Sequence, residues 1–274
     1  MIKLLSPDEK RLAICLALIA GYVDAYGLIV YGVYVSFMSG NTTQTGSMIG
    51  QGRLLLAIPS ALAILFFVTG SFAGTWLTHS RLRHSRQVLF GAIAVLLAVI
   101  IGGTQLGPAL GAKVCIATLS LAMGLMNTTL SQIGAEPVNL TFITGTLNKM
   151  GRHLALAATQ APLPDAQGQW DTHIRRAGLM ARVWAGFVTG AMVSGAATSY
   201  FGVWVLLPPF LILLALAVVW VPLGPDNVPI DQPVRSSLQQ QRRSRNLAPM
   251  MDAKTETPEP RKVASQREKW RGGR

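Results

Sequence analysis

Residues 21–46 read GYVDAYGLIVYGVYVSFMSGNTTQTG: a lone carboxylate, Asp24, lies in an apolar run that passes without further charge into Gly, Ser, Thr, Asn and Gln. The second half of the stretch returns later in the chain. Residues 33–40, VYVSFMSG, align with residues 138–145, VNLTFITG, keeping Val, Phe and Gly and matching Ser36 to Thr141 and Ser39 to Thr144, hydroxyl for hydroxyl. Gly46 then falls on Gly151. With two extra residues allowed in the second copy, Gly21 falls on Gly124 and Asp24 on Asn127. Farther on and in the same order, Phe67-Val68-Thr69-Gly70 is repeated as Phe187-Val188-Thr189-Gly190. The chain reads as a duplicated unit.

Half of the 274 residues are apolar and 13% are charged, too few charges to coat a soluble domain of this size, so the chain belongs in a membrane. Crossing a bilayer takes about 20 mostly apolar residues. Six stretches meet that length: 12–35, 54–77, 88–107, 114–135, 183–201 and 203–221. Lys and Arg are retained on the cytoplasmic side, which sets the orientation. With the N-terminus inside, Lys3, Lys10, Arg11, Arg81, Arg83, Arg86, Lys149, Arg152, Arg175, Arg176 and Arg182 are all cytoplasmic, and the outer loops keep only Arg53 and Lys113. Three spans per copy is an odd number, which inverts the second copy in the membrane. The expected fold is therefore an all-α membrane protein of six transmembrane helices in two inverted three-helix repeats. Residues 1–11 form a cytoplasmic N-terminus, 12–112 the first repeat, 113–223 the second, and 224–274 a tail. That tail is rich in Pro, Gln, Ser and mixed charge, cannot bury enough apolar surface to offset its ordering entropy, and is expected to be disordered, basic and cytoplasmic.

The net charge of +12 excludes little, because 11 of the 24 Lys and Arg lie in that tail. Anionic headgroups account for such a basic balance without nucleic acid. Cys15 and Cys115 sit in apolar runs with no metal or redox spacing and read as buried small hydrophobes. The acids Asp8 and Glu9 ahead of the first apolar run, and the length of that run, argue for a mature span over a cleaved leader.

In helix count and repeat symmetry the fold resembles one half of a major-facilitator transporter. Arg81-Leu82-Arg83-His84-Ser85-Arg86 is similar to that superfamily's basic loop but lacks its acid. Gly21, Asp24-Ala25, Ser39-Gly40-Asn41-Thr42 and Gly46 resemble the YoaK family of bacterial membrane proteins across residues 10–222, with Ser39 where that family has Thr. This resemblance implies an integral inner-membrane protein, and the Lys/Arg asymmetry puts both termini in the cytoplasm. It supplies no activity, since that family's function is unknown.

Asp24 lies near mid-span, so it faces the bundle interior, either relaying protons or binding a cation, or else hydrogen-bonding Asn127, Tyr22 or Tyr26. The segment Ser39, Asn41, Thr42, Gln44 to Gly46 is too polar for lipid. It reads either as a glycine-permitted break offering donors and acceptors to a solute or as a capped packing seam. Thr144 and Asn148 are its counterparts toward the opposite face. Glu136-Pro137 fills the two-residue insertion and ends the fourth span at Ala135; Glu136 is either a second ionisable site or an interfacial carboxylate. Arg182 opens the fifth span and reaches back to the headgroups. His79, His84, His153 and His173 fall among arginines with no HxxxH or HExxH spacing, so no metal site, no cofactor and no enzyme are expected. The leading expectation is a small-solute permease or exporter with its path between the repeats, in a bilayer, as a possible homodimer. The alternative is a non-transporting scaffold or regulatory protein whose basic tail binds lipid or partners.

Overall fold

The computed structural model describes residues 7–80, 84–106, 111–129, 143–163, 166 and 170–219. Among them every regular element is helical: α1 Pro7–Tyr31, α2 Met38–Gly50, α3 Leu54–His79, α4 Ser85–Leu106, α5 Ala112–Asn127, α6 Ile143–Ala158, α7 His173–Phe201 and α8 Leu207–Val219. A 3-10 turn, Gly202–Leu206, joins the last two. Four helical runs are long and apolar enough to cross a membrane: Lys10–Tyr31, Leu54–His79, Ser85–Thr104 and His173–Val219.

Several boundaries differ from those expected. The first helix stops at Tyr31, not at residue 35, because Gly32 takes φ +68°, a left-handed conformation that leaves the helix. The fourth helix, α5, ends at Asn127, eight residues before the expected stop; Glu136 and Pro137 lie outside the described residues, as does the tail. The fifth helix begins at His173, where the Thr172 hydroxyl accepts the Arg175 N–H at 3.3 Å as an N-cap. Arg182 is accordingly an exposed residue inside α7, more than two turns after its start. Ser39 to Gly46 is not the break: it forms most of α2, and the chain is irregular just before it, over 32–37.

Helix packing rests on glycines. A methyl added to Gly21 would strike the Phe187 carbonyl, one on Gly190 the Leu18 carbonyl and one on Gly186 the Ile14 carbonyl, so α1 and α7 touch backbone to backbone. Residue numbers rise together along this seam, Ile14 with Gly186 and Leu18 with Gly190, so the two helices run parallel. The seam between α5 and α3 is built alike: Gly124 meets the Phe67 carbonyl, Gly70 the Leu121 carbonyl and Gly74 the Thr128 side chain, again in parallel. Small residues allow such close approach, which in lipid supplies packing that the hydrophobic effect cannot. Leu16, Ile19 and Tyr26 of α1, Phe90, Leu97 and Ile100 of α4, and Leu119, Met123 and Met126 of α5 share one buried cluster between the seams. Leu55, Leu65, Val68, Phe72 and Trp76 of α3 are exposed, as lipid-facing groups should be. Cys15 and Cys115 are free thiols.

Candidate functional site

After Gly32 the chain folds back along α1. Gly27 makes room for it, since a methyl there would collide with the Val35 side chain and crowd the Val33 carbonyl. The returning strand has no helical partner for its N–H groups, and at membrane depth an unpaired one is costly. Asp24 supplies the acceptor: Val35 N–H and Ser36 N–H donate to its Oδ1 at 2.9 and 2.7 Å. Asp24 is 5% exposed. Its carboxylate sits just ahead of the first residue of α2, where the helix dipole also favours negative charge.

Asn41, fully buried, secures the same turn from the other side, its Nδ2 donating to the Tyr34 carbonyl. One turn further on, Thr45 Oγ1 donates to Ser60 Oγ at 2.8 Å and Ser60 Oγ to the Ala57 carbonyl at 3.1 Å, which ties α2 to α3. With Gln51 to Arg53 as the connection between them, α2 and α3 form an antiparallel hairpin. Counting back from Thr45 and on from Ser60 at equal rise sets Met38, the start of α2, beside Phe67, the middle of α3. Thus α2 starts beside the middle of α3 and runs to its N-terminal end. Its 13 residues span about 20 Å, too short to cross alone.

The outward face of α2 is uncharged and borders a shallow groove of about 540 Å³, wide open on one side, whose exposed lining is more apolar than polar. Ser39, Thr43, Gln44 and Ser47 line it along α2, and the rings of Tyr34 and Phe37, edge to face at 5.2 Å, lie against α2 at Gly40. Thr42 and Thr43 hydroxyls donate back to the Met38 and Ser39 carbonyls at 2.8 and 3.1 Å, which is how so polar a segment stays helical. Of the residues singled out in the sequence, Ser39 and Gln44 line the cavity. Asp24 and Asn41 lie behind it, holding the fold-back, and Tyr22 and Tyr26 are buried in α1. Thr42 is exposed on α2, Thr144 and Asn148 are exposed on α6, and Asn127 is half-buried at the end of α5. Tyr34, Phe37, Thr43 and Ser47 were not anticipated, although the four-residue stride of Ser39, Thr43 and Ser47 marks one helical face once α2 is known to be a helix.

A second polar cluster joins α6 to the start of α7. His153 and His173 are buried with Nδ1 to Nδ1 at 2.9 Å. Arg176, in the first turn of α7 where a cation opposes the dipole, is paired bidentately with Asp171 at 3.0 and 2.7 Å. Arg175 lies over the Trp170 ring at 5.4 Å. Nothing in the spacing of these histidines announced that they meet.

A family model described as "Protein of unknown function (DUF1275)" matches residues 12–219. A protein of Rhizobium meliloti (strain 1021) named UPF0700 transmembrane protein RA0705 is 29% identical over 184 residues, covering 66% of this chain and 72% of that one. These matches bear out the resemblance to YoaK-like membrane proteins drawn from Gly21, Asp24-Ala25 and Ser39-Gly40-Asn41. No solved structure matches the chain.

Proposed function

Because this chain belongs to the DUF1275 family, whose function is unknown, its activity has to be read from the site, and we propose a small-solute permease or exporter of the bacterial inner membrane. The observation that carries this reading is α2, a half-length helix that starts beside the middle of α3 and turns an uncharged face to an open groove of about 540 Å³. Broken helices whose half-helix ends meet at the bilayer midplane build the substrate sites of many secondary transporters. In this reading Asp24 and Asn41 fix the half-helix, and its opposite face forms the path.

Six crossings form two inverted repeats in this reading, with the groove itself lined, among the described residues, by the first repeat alone. The His173–Val219 run would measure about 70 Å as one helix, more than twice a hydrocarbon core of about 30 Å, and Gly202 with φ +53° divides it into two crossings. The glycine seams support the inversion. Exchange Gly21 for Gly124, Leu18 for Leu121, Phe187 for Phe67 and Gly190 for Gly70, and the contacts of α1 with α7 become those of α5 with α3. Six helices are few for a complete transport cycle, which favours a homodimer with a path in each copy.

The test is untargeted metabolite uptake and efflux in cells lacking or overproducing the protein. At least one small solute should change its distribution between the two strains, and Thr43→Trp, which fills the cavity, should abolish the change at unaltered membrane abundance. Identical solute profiles in the two strains would overturn the permease reading. A competing role as scaffold or regulator draws on one observation, that Asp24 and Asn41 both bond to backbone; it expects identical profiles together with partners or lipid bound through the basic tail.

A further inference from the structure

From the cavity lining we infer that the solute is a neutral polyhydroxylated molecule of polyol or monosaccharide type. This rests on the permease reading and specifies its substrate class. None of the eight residues that line the cavity is ionisable near pH 7 in the manner of Asp, Glu, Lys, Arg or His, so neither an anion nor a cation finds a counter-charge there. The N-terminus of a half-helix is the usual attractor for an anionic substrate. Here that place is taken by the protein's own Asp24, which accepts from Val35 and Ser36 immediately ahead of α2.

What the lining does offer is unspent hydrogen-bonding capacity in a row. The Gln44 amide and the Ser39 hydroxyl have no hydrogen-bond partner among the described residues, and Ser47 Oγ accepts from Gln51 Nε2 at 3.1 Å while its own proton stays available. Thr43 spends its proton on the Ser39 carbonyl and keeps its acceptor lone pairs. Donors and acceptors about 6 Å apart, one helical turn, can reach non-adjacent hydroxyls of one molecule, each of which both donates and accepts. The Tyr34 and Phe37 rings, which lie against α2 at Gly40 beside this row, give the C–H face of such a solute an apolar surface.

Two measurements on the purified full-length chain separate this inference from the reading beneath it. In saturation-transfer NMR, ribitol should receive signal from the protein whereas gluconate and choline should not. Gln44→Leu should weaken ribitol binding about tenfold, the equivalent of one good hydrogen bond, and Gln44→Glu, by adding a carboxylate, should admit choline. In proteoliposome swelling, ribitol should enter faster than in empty vesicles. Binding or entry of gluconate or choline in preference to ribitol overturns the solute class and leaves the permease standing. Ribitol binding without entry overturns the permease and upholds the class of ligand. If ribitol neither binds nor enters, the inferred class is wrong.

Discussion

Asp24 is the residue on which the fold-back turns, and its energetics fix what substitutions there should do. A carboxylate in the hydrocarbon core costs about 2.5–3.5 kcal/mol on insertion scales. Two buried N–H groups left without acceptors would cost about 1–3 kcal/mol each, so the acid and the fold-back offset one another. Asp24→Asn keeps one carbonyl oxygen for Val35 and Ser36 and should leave thermal stability in detergent near the parent's. Asp24→Ala leaves both N–H groups unpaired, a loss of about 2–6 kcal/mol on the same scale that removal of the carboxylate's own burial cost partly returns, and it should lower the melting temperature where the Asn variant does not. If the Asn variant is as stable as the parent yet loses solute flux, the charge itself is used and the pinning role is insufficient. That Asp24 matters was legible in the sequence, because it is the one formal charge between residues 12 and 52. Its partner was not legible. The acceptor serves main-chain N–H groups 11 and 12 residues away, and a main-chain donor carries no side-chain signature.

At the scale of elements, the glycines sort into two groups with opposite expected responses. Gly21, Gly70, Gly124 and Gly190 each face a neighbouring helix's carbonyl with no room for a methyl. Gly124→Val should therefore force α5 from α3 at a cost of about 1–3 kcal/mol, and Gly21→Val should do the same to α1 and α7. Gly46 and Gly151 have nothing within 4 Å of a built methyl and lie inside α2 and α6. Ala at either should raise helix stability by up to about 1 kcal/mol. Thermal melting of the four purified variants checks the sorting, and equal effects in both groups would refute the seams. Gly70-x-x-x-Gly74 and Gly186-x-x-x-Gly190 carry one side of each seam in a spacing that suits close helix approach, a signal outside the repeat-based reading of the sequence. Helix ends were less readable. Hydropathy runs on from Tyr31 through Val35, and only the φ of Gly32 and the space at Gly27 show that the chain has turned back. In α2, a count of polar residues suggested irregular backbone, whereas threonine hydroxyls bonded to preceding carbonyls let the helix persist.

At the scale of the whole molecule, the direction of each helix is the quantity that charge bias and packing address independently. Lys and Arg fall on one side if the N-terminus is cytoplasmic, and that pattern needs α1 and α7 to run the same way across the bilayer, as their parallel glycine seam has them. The parallel seam of α3 with α5 adds that one crossing separates them, which α4 provides. Neither α2 nor α6 can then be a full crossing, in keeping with their 13 and 16 residues. Reporter fusions give the decisive reading: a fusion after Gly107 should be active only outside and one after Gly224 only inside. A fusion after Ala158, at the end of α6, should also report inside, since α6 carries Lys149 and Arg152 and leads to the buried His153–His173 contact ahead of α7. An outside signal after Ala158 would make α6 a crossing in its own right. It would reverse α7 relative to α1, against the parallel contacts of Ile14 with Gly186 and Leu18 with Gly190, and the six-crossing arrangement would fall with it.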